Sequence, residues 1–360
     1  MAKTEITKQA VLAALSDVKD PLIGRSLISE MLLRDIQVAG KKITLTAGLI
    51  TLEHPHKAEI EADIKSALKG MGDVKIKFEI DVPSDGHQRG SGSDPIRTAI
   101  AIASGKGGVG KSTVAVNIAV SMAMAGAKVG LLDADVYGPN VPIMMGVADD
   151  HIRPNESGKL EPVEAHGVKM MSIGFLVARE QPIVWRGPML HSAIGQFVND
   201  VNWGEIDYLL IDLPPGTGDA QLSMAQILSV TGGVIVTLPQ QVSLDDARRG
   251  LEMFHQLKIP VMGVVENMSY LETPQGEKMD IFGSGGGQKL AKETDVPFLG
   301  EIPMDPAVRV GGDAGIPIVV SAPDSAAAKA LQRIAIDIAK TTSLQAFEQQ
   351  KRAIPITMVN

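Results

Sequence analysis

TAIAIASGKGGVGKSTVAVNIAVSMAMA, running from Thr98 to Ala125, is the stretch whose reading decides the fold. It opens as a near-continuous apolar run, closes with apolar residues at helical spacing, and holds Gly105-Lys106-Gly107-Gly108-Val109-Gly110-Lys111-Ser112 between the two. That spacing is G-x-x-x-x-G-K-[ST], a motif that carries meaning only between a strand and a helix, which is where it falls. Glycines let backbone N–H groups turn inward around a phosphate without Cβ clashes, and the helix amino end adds a favourable dipole. Lys111 is expected to reach the β- and γ-phosphates of ATP, the Ser112 hydroxyl to ligate Mg²⁺, and Thr113 to close the nucleotide-binding loop that begins at Gly105. The competing reading is a Gly-rich strand-to-helix turn without a ligand, and the strand–loop–helix context weighs against it.

Moving outward, Lys106 is a second lysine that a plain phosphate loop does not need. Repelled by its neighbour in an empty loop, it calls for a counter-anion, and phosphate is the obvious one. In a symmetric dimer it would reach the partner's nucleotide and act as an arginine finger does, an effect of about 10³–10⁵ in rate; a solvated loop lysine is the alternative. KVGLLDADVYGPN puts Asp133 and Asp135 at the end of the next apolar strand, where carboxylates orient an attacking water or hold Mg²⁺ through water. Asp135 is the candidate for activating the water. YLLIDLPPGTGD ends another strand in Asp212, a metal-side acid, followed by Pro214, Pro215 and Gly216, which resemble a γ-phosphate switch. A helix cap or turn residue is the ordinary alternative for each Asp. Asn267 in VVENMSY offers an amide suited to the adenine edge, with a loop-satisfying amide as the competing reading. Pro303 and Met304, in EIPMDPAVR, are expected against the purine face.

The runs KVGLLDAD, YLLIDLP, GGVIVTLP, VMGVVENMS and PFLGEIP alternate with helical stretches, which predicts an α/β domain over residues 96–342: a parallel sheet with helices on both faces. Ligands in such sheets bind at strand carboxyl ends, where nearly every motif above lies. PSDGHQRGSGSDP predicts a flexible linker over 84–95. Before it, a helical QAVLAALSDV, two strands about a Gly turn in IQVAGKKITLTAGLI, a helical AEIEADIKSALKGM and an alternating VKIKFEIDV predict a small α+β domain over 1–83. Residues 343–360 carry little pattern and are expected as a loosely held tail.

Composition bounds the function. Aromatics make up 3% of 360 residues against 37 Gly and 17 Met, which suits helices on a parallel sheet better than a sandwich. A net charge of −8 offers no pull towards nucleic acid or anionic lipid. No signal-like core and no apolar run of spanning length is present, so a cytoplasmic protein without a membrane segment is expected. There are 0 cysteines, which excludes disulfides, thiolate nucleophiles and cysteine-bound metal on this chain.

Together GKGGVGKST, LLDADVYGPN, IVWRGPM, LLIDLPPGTGD, VVENMSY and IPMDPAVR resemble the Mrp/ApbC ATPases, relatives of MinD, ParA and the nitrogenase iron protein, over roughly residues 96–340. The first 83 residues resemble the small domain of iron–sulfur assembly factors, through SDVKDPLIGRSLI and KKITLTAGLITLEHP. The resemblance implies a MinD-like fold and an ATP-hydrolysing homodimer that delivers iron–sulfur clusters, with apo iron–sulfur proteins or assembly factors as partners. By position it makes Lys106 the lysine acting across the dimer, Asp135 and Asp212 the switch acids, and Asn267 the adenine-recognising residue; Arg186 in WRGPM falls on a motif of underived role.

One departure is serious. Cluster-binding members carry C-x-x-C shortly after ENMSY, and here the segment reads ENMSYLETPQGEKMDIFGSGGG. His54 likewise stands where a cysteine is expected in the small domain. His54 and His56 form a close pair without a third ligand in view, and Glu272, Glu277 and Asp280 read as loop surface, so no metal other than Mg²⁺ is expected. An iron–sulfur cluster therefore enters by family analogy alone. The alternative function is a nucleotide-switched, partner-binding or positioning ATPase of the MinD/ParA kind, although AIPITMVN is no amphipathic membrane helix and the charge suggests no DNA surface. A scaffold with a vestigial ATPase is a third, opposed by Lys111, Asp135 and Asp212.

Overall fold

The computed structural model describes residues 6–89, 96–136, 138–175, 187–216, 218, 221, 224, 225, 227–273 and 275–353. The chain forms two compact units: Met1–Pro83 with Ala339–Asn360, and Ser84–Ile338.

In the smaller unit, Leu33–Ala39 turns at Gly40, whose φ of 60° suits glycine, and pairs antiparallel with Lys42–Leu49. Asp73–Ile80 joins the other edge of Lys42–Leu49 in parallel, which requires a crossover. Helix Lys57–Ala67 supplies it and buries Ile60 and Ile64, one turn apart. The central strand is accordingly buried almost throughout, while Asp73–Ile80 alternates between exposed and half-buried residues.

The larger unit is built on an eight-stranded sheet in the order Phe298–Glu301, Val261–Glu266, Gly232–Thr237, Ile96–Ala103, Ile206–Asp212, Val129–Asp133, Val168–Ser172, Val163–Ala165. Neighbours are parallel except the edge hairpin of Val163–Ala165 with Val168–Ser172. Ile206–Asp212 and Gly232–Thr237 are buried at every residue, as expected of parallel strands covered by helices. Helix Lys111–Met124 packs on Val129–Asp133 and Ile206–Asp212, and helix Gln241–Gln256 on Gly232–Thr237. The parallel register brings Ser104, Asp133, Asp212, Thr237 and Glu266 to the carboxyl edge of the sheet, around the strand that feeds the glycine loop. The edge hairpin is absent from the sequence expectations; its signal is His166-Gly167, with φ of 49° and 78°, a two-residue turn that requires two left-handed residues.

Two expectations are corrected. Residues 84–89 are not a free linker: Asp85 N donates to Arg97 O at 3.0 Å, and the buried Arg89 guanidinium bonds Asp85 and Ser229 O. The segment is polar, but its charges neutralise each other inside the larger unit. The remainder of that stretch, 90–95, lies outside the described residues. Nor is the chain loose from 343: helix Ala326–Ala353 continues through it, burying Ile338, Ala339, Thr342, Ser343, Ala346 and Phe347. Those positions repeat as adjacent pairs every four residues, a buried stripe of helical period whose middle pair, Thr342 and Ser343, is polar. Residues 354–360 lie outside the described residues.

Candidate nucleotide site

Strand Ile96–Ala103 delivers the chain to the loop, and helix Lys111–Met124 begins directly after Gly110, which caps it at φ 83°. A Cβ on Gly110 would stand 2.3 Å from Asn267 Nδ2, and one on Gly105 would stand 2.1 Å from the Asp246 carbonyl carbon. Glycine is therefore required at both ends of the loop before any ligand enters, by close approach to backbone at Gly105 and by the left-handed φ at Gly110. Among the described residues, none of the amides from Gly107 to Thr113 donates to a backbone carbonyl. A run of free N–H groups at a helix amino end is an anion site.

Lys111, only 5% exposed, is the cation of this site. Its Nζ lies 2.5 Å from Asp212 Oδ1, 3.6 Å from Asp135 Oδ2 and 3.3 Å from Ser112 Oγ. Asp133 faces Asp212 across the parallel pair, accepts from Ser172 Oγ at 2.8 Å, and accepts from the Asp135 amide at 3.1 Å. Burial first, and then the charge of Asp212, push the Asp133 carboxyl up to about 8, against the pull of Ser172 and Lys111. Among the described residues, the buried Asp212 Oδ2 has no hydrogen-bond partner. Three buried carboxyl groups thus surround Lys111, hard oxygen donors that fit Mg²⁺ through water and not as a closed ligand set. Ser112 would hold the ion directly, with Asp133 and Asp212 acting through water.

Asn267 Nδ2 donates to Val109 O at 2.8 Å, so its amide supports the loop. The same residue lines a cavity of about 730 Å³ with Thr113, Met144, Met268, Pro303 and Met304, large enough for a purine and its ribose. Gly216 has φ 105° and its N–H donates to Ser104 O at 3.0 Å, so the switch glycine is tied to the base of the loop. Lys106 is half-buried and, among the described residues, has no carboxylate partner. Arg186 lies outside the described residues. Sequence reasoning missed Ser172, which enters through the unforeseen hairpin, and the cavity wall from Met144 and Met268, which carries no motif.

His54 does not form a metal site with His56. Its Nε2 lies 3.1 Å from Asp20 Oδ1, both side chains are fully buried, and His56 turns to Glu59 at 2.8 Å. Among the described residues no group of three or more His, Asp or Glu is arranged for a metal ion. No helix there is long and apolar enough to cross a membrane.

A glycine loop with free amides, a buried lysine set among strand-end carboxylates and an apolar cavity beside them define a nucleotide-binding P-loop protein. Residues 95–339 match the family described as NUBPL iron-transfer P-loop NTPase, and residues 8–78 match the one described as iron-sulfur cluster assembly protein. The chain belongs to that P-loop NTPase family, with the assembly-protein domain preceding it. It is 49% identical over 352 residues to the iron-sulfur cluster carrier protein of Synechocystis sp., covering 95% of this chain and 99% of that one. The protein of the same name from Deinococcus radiodurans is 47% identical, covering 96% and 99%. Among solved structures, a nucleotide-binding protein of Archaeoglobus fulgidus in complex with ADP superposes with a TM-score of 0.55 at 42% identity, over 61% of this chain and 87% of that one. The cell division ATPase MinD of Pyrococcus furiosus gives 0.51 at 25%, over 67% and 98%.

Proposed function

We propose that this chain is a homodimeric, Mg²⁺-dependent ATPase that drives delivery of iron–sulfur clusters to apo-proteins or assembly factors. The observation that carries the reading is Lys111 held between Asp212 and Asp135 beneath a loop of unpaired amides. Arriving phosphates draw Lys111 away from its carboxylates and occupy the free N–H groups. Mg²⁺, held by Ser112 and through water by Asp133 and Asp212, would supply neutralisation of phosphate charge. Asp135 takes a proton from the attacking water, and Lys106 from the second protomer neutralises charge building on the phosphoryl group. The cluster is cargo, and the chain has no thiolate with which to hold it, so its ligands come from a partner or a small thiol.

Turnover is the test of the ATPase. Lys106→Gln and Asp135→Asn are each expected to lower ATP turnover by about 10²-fold or more while ADP still binds; unchanged turnover in both refutes the assignment. Transfer is tested by anaerobic incubation with iron, sulfide, glutathione and an apo [4Fe–4S] acceptor. ATP-dependent loading of the acceptor supports the carrier reading. ATPase activity without any effect on loading favours a nucleotide-switched partner-binding role, the alternative for which the missing cysteines speak.

A further inference from the structure

Strand Val261–Glu266 ends in two residues that point into different parts of the molecule. Asn267 reaches the nucleotide loop: its Nδ2 holds Val109 O at 2.8 Å and its backbone N–H holds Thr237 O at 2.8 Å. Glu266, its neighbour across one peptide bond, is fully buried and reaches the other way. Its Oε1 accepts from Ser269 Oγ and from Gly285 N at 3.0 Å, and its Oε2 accepts from Gly287 N. The carboxylate therefore closes the amino end of helix Gly286–Glu293 and the loop before it. Glycine is demanded on the receiving side, because a Cβ on Gly287 would lie 2.9 Å from Glu266 Cβ and one on Gly286 would lie 2.6 Å from Pro239 O. Gly285 itself sits at φ 75°.

The segment that this carboxylate secures, Lys278 to Gly285, carries exposed Met279, Ile281 and Phe282. Its other end is fixed by Lys278, which lies 3.8 Å from the Tyr270 ring centre and bonds Glu301 at 3.1 Å. Tyr270 in turn accepts from the amide of Met304, a wall residue of the nucleotide cavity, at 2.6 Å. Between Asn267 and Tyr270 lies Met268, a cavity residue held at φ 52°. A base entering the cavity would meet Asn267 and Met268, the two residues that directly follow Glu266.

We infer that Glu266 is a positioning residue that couples nucleotide occupancy to the segment Lys278–Gly285. Ordering of the Asn267–Met268 turn by nucleotide orders Glu266, and the carboxylate passes that order to Gly285 and Gly287 through two amide bonds. The inference rests on nucleotide binding at the loop and needs neither hydrolysis nor a cargo. Glutamine at position 266 would keep the shape and lose the coupling: one acceptor oxygen becomes an N–H₂ group that faces an amide donor.

The test is hydrogen exchange on the full-length protein with and without saturating ADP, read in peptides covering residues 105–113 and 277–287. In the unmodified protein ADP is expected to slow exchange in both, by about fivefold or more in the second, the lower end of ordinary coupling energies. In Glu266→Gln, ADP still slows exchange at 105–113 while its effect at 277–287 is lost. Ser269→Ala removes the hydroxyl bond to Glu266, together with a longer one to Glu301 Oε2 at 3.4 Å, and gives an intermediate loss, which keeps the test open should Glu266→Gln fold poorly. An ADP effect at 277–287 that is absent from the unmodified protein, or undiminished in both variants, overturns the inference. Absence of an ADP effect at 105–113 in the unmodified protein overturns nucleotide binding at the loop and the inference with it.

Discussion

Replacing Arg89 by alanine distinguishes a segment folded into the larger unit from a free linker. The guanidinium is 1% exposed and the Asp85 carboxylate fully buried, and they meet through two bonds, Nη1 to Oδ1 at 3.0 Å and Nη2 to Oδ2 at 2.5 Å. Arg89 Nε also donates to Ser229 O at 2.9 Å, so truncation strands both a carboxylate and a carbonyl. Removing one partner of a buried pair costs about 3–5 kcal/mol, because the other charge stays behind. Thr231 and the His87 amide still donate to Asp85, which argues for the lower part of that range. At about 2–4 °C per kcal/mol for a unit of this size, a loss of about 3 kcal/mol lowers the midpoint by about 6–12 °C in calorimetry. Asp85→Asn with Arg89→Met removes both charges and should recover much of the loss. Burial opposes ionisation of Asp85, but the Arg89 guanidinium, then Thr231 and the His87 amide, outweigh it and hold the carboxyl below its ordinary 3.8. Stability from a depressed carboxyl is present above the unfolded value and is lost as pH falls through the folded one, so the gap between the unmodified protein and Arg89→Ala should narrow below about pH 4. A midpoint shift under about 2 °C at neutral pH would refute the burial argument.

Three further outcomes are expected. Asp133 carries the opposite sign: its carboxyl, raised from 3.8 to about 8, keeps a proton in the folded chain that the unfolded chain releases, so nucleotide-free stability falls as pH rises from about 4 to about 8 and levels off beyond; Asp133→Asn should flatten a plot of melting midpoint against pH over that window. Gly105→Ala drives a methyl group into the Asp246 backbone, and ADP affinity measured by titration calorimetry should drop by tenfold or more for an overpacking cost of about 1–3 kcal/mol. Asn267→Ala removes the bond to Val109 O and should weaken ADP about fivefold, as befits a net loss of about 1 kcal/mol.

What the sequence discloses divides by the range of the interaction. The loop at Gly105–Ser112 is legible because its signal is local: an apolar run, glycines at fixed offsets and a helical period, all within one stretch. Asp135 and Asp212 are legible as strand-end residues of apolar runs, since a parallel register alone carries them to the same edge as Lys111. Ser172 is not, because its role depends on an edge hairpin whose strands are short and whose turn is signalled only by His166-Gly167. Arg89 misleads for the same reason. In PSDGHQRGSGSDP a charged residue looks solvated, and only contacts with Ser229 and Thr231, about 140 positions away, make it a buried partner. The helix through Phe347 is a different failure, a helical stripe present in the sequence but diluted by its polar face.

The absence of cysteine bears on the cargo and not on the nucleotide machinery, and the energetics separate the two. Lys111, Asp133, Asp135 and Asp212 are all buried at the carboxyl edge of the sheet, and burying charge is unfavourable unless partners compensate it. Compensation here is costly: Asp133 is neutral only because it holds its proton, and among the described residues Asp212 Oδ2 has no hydrogen-bond partner. Replacing buried charges with well-packed apolar side chains is often neutral or stabilising by about 1–4 kcal/mol, so a chain that served only as a scaffold would gain by losing them. A divalent cation arriving with the nucleotide supplies positive charge to this group, while the phosphates take up the free loop amides, which turns a destabilising cluster into a site whose stability depends on its ligand. A site built in this way ties the stability of the folded chain to nucleotide without calling on a thiolate, so the missing cysteines leave that machinery untouched.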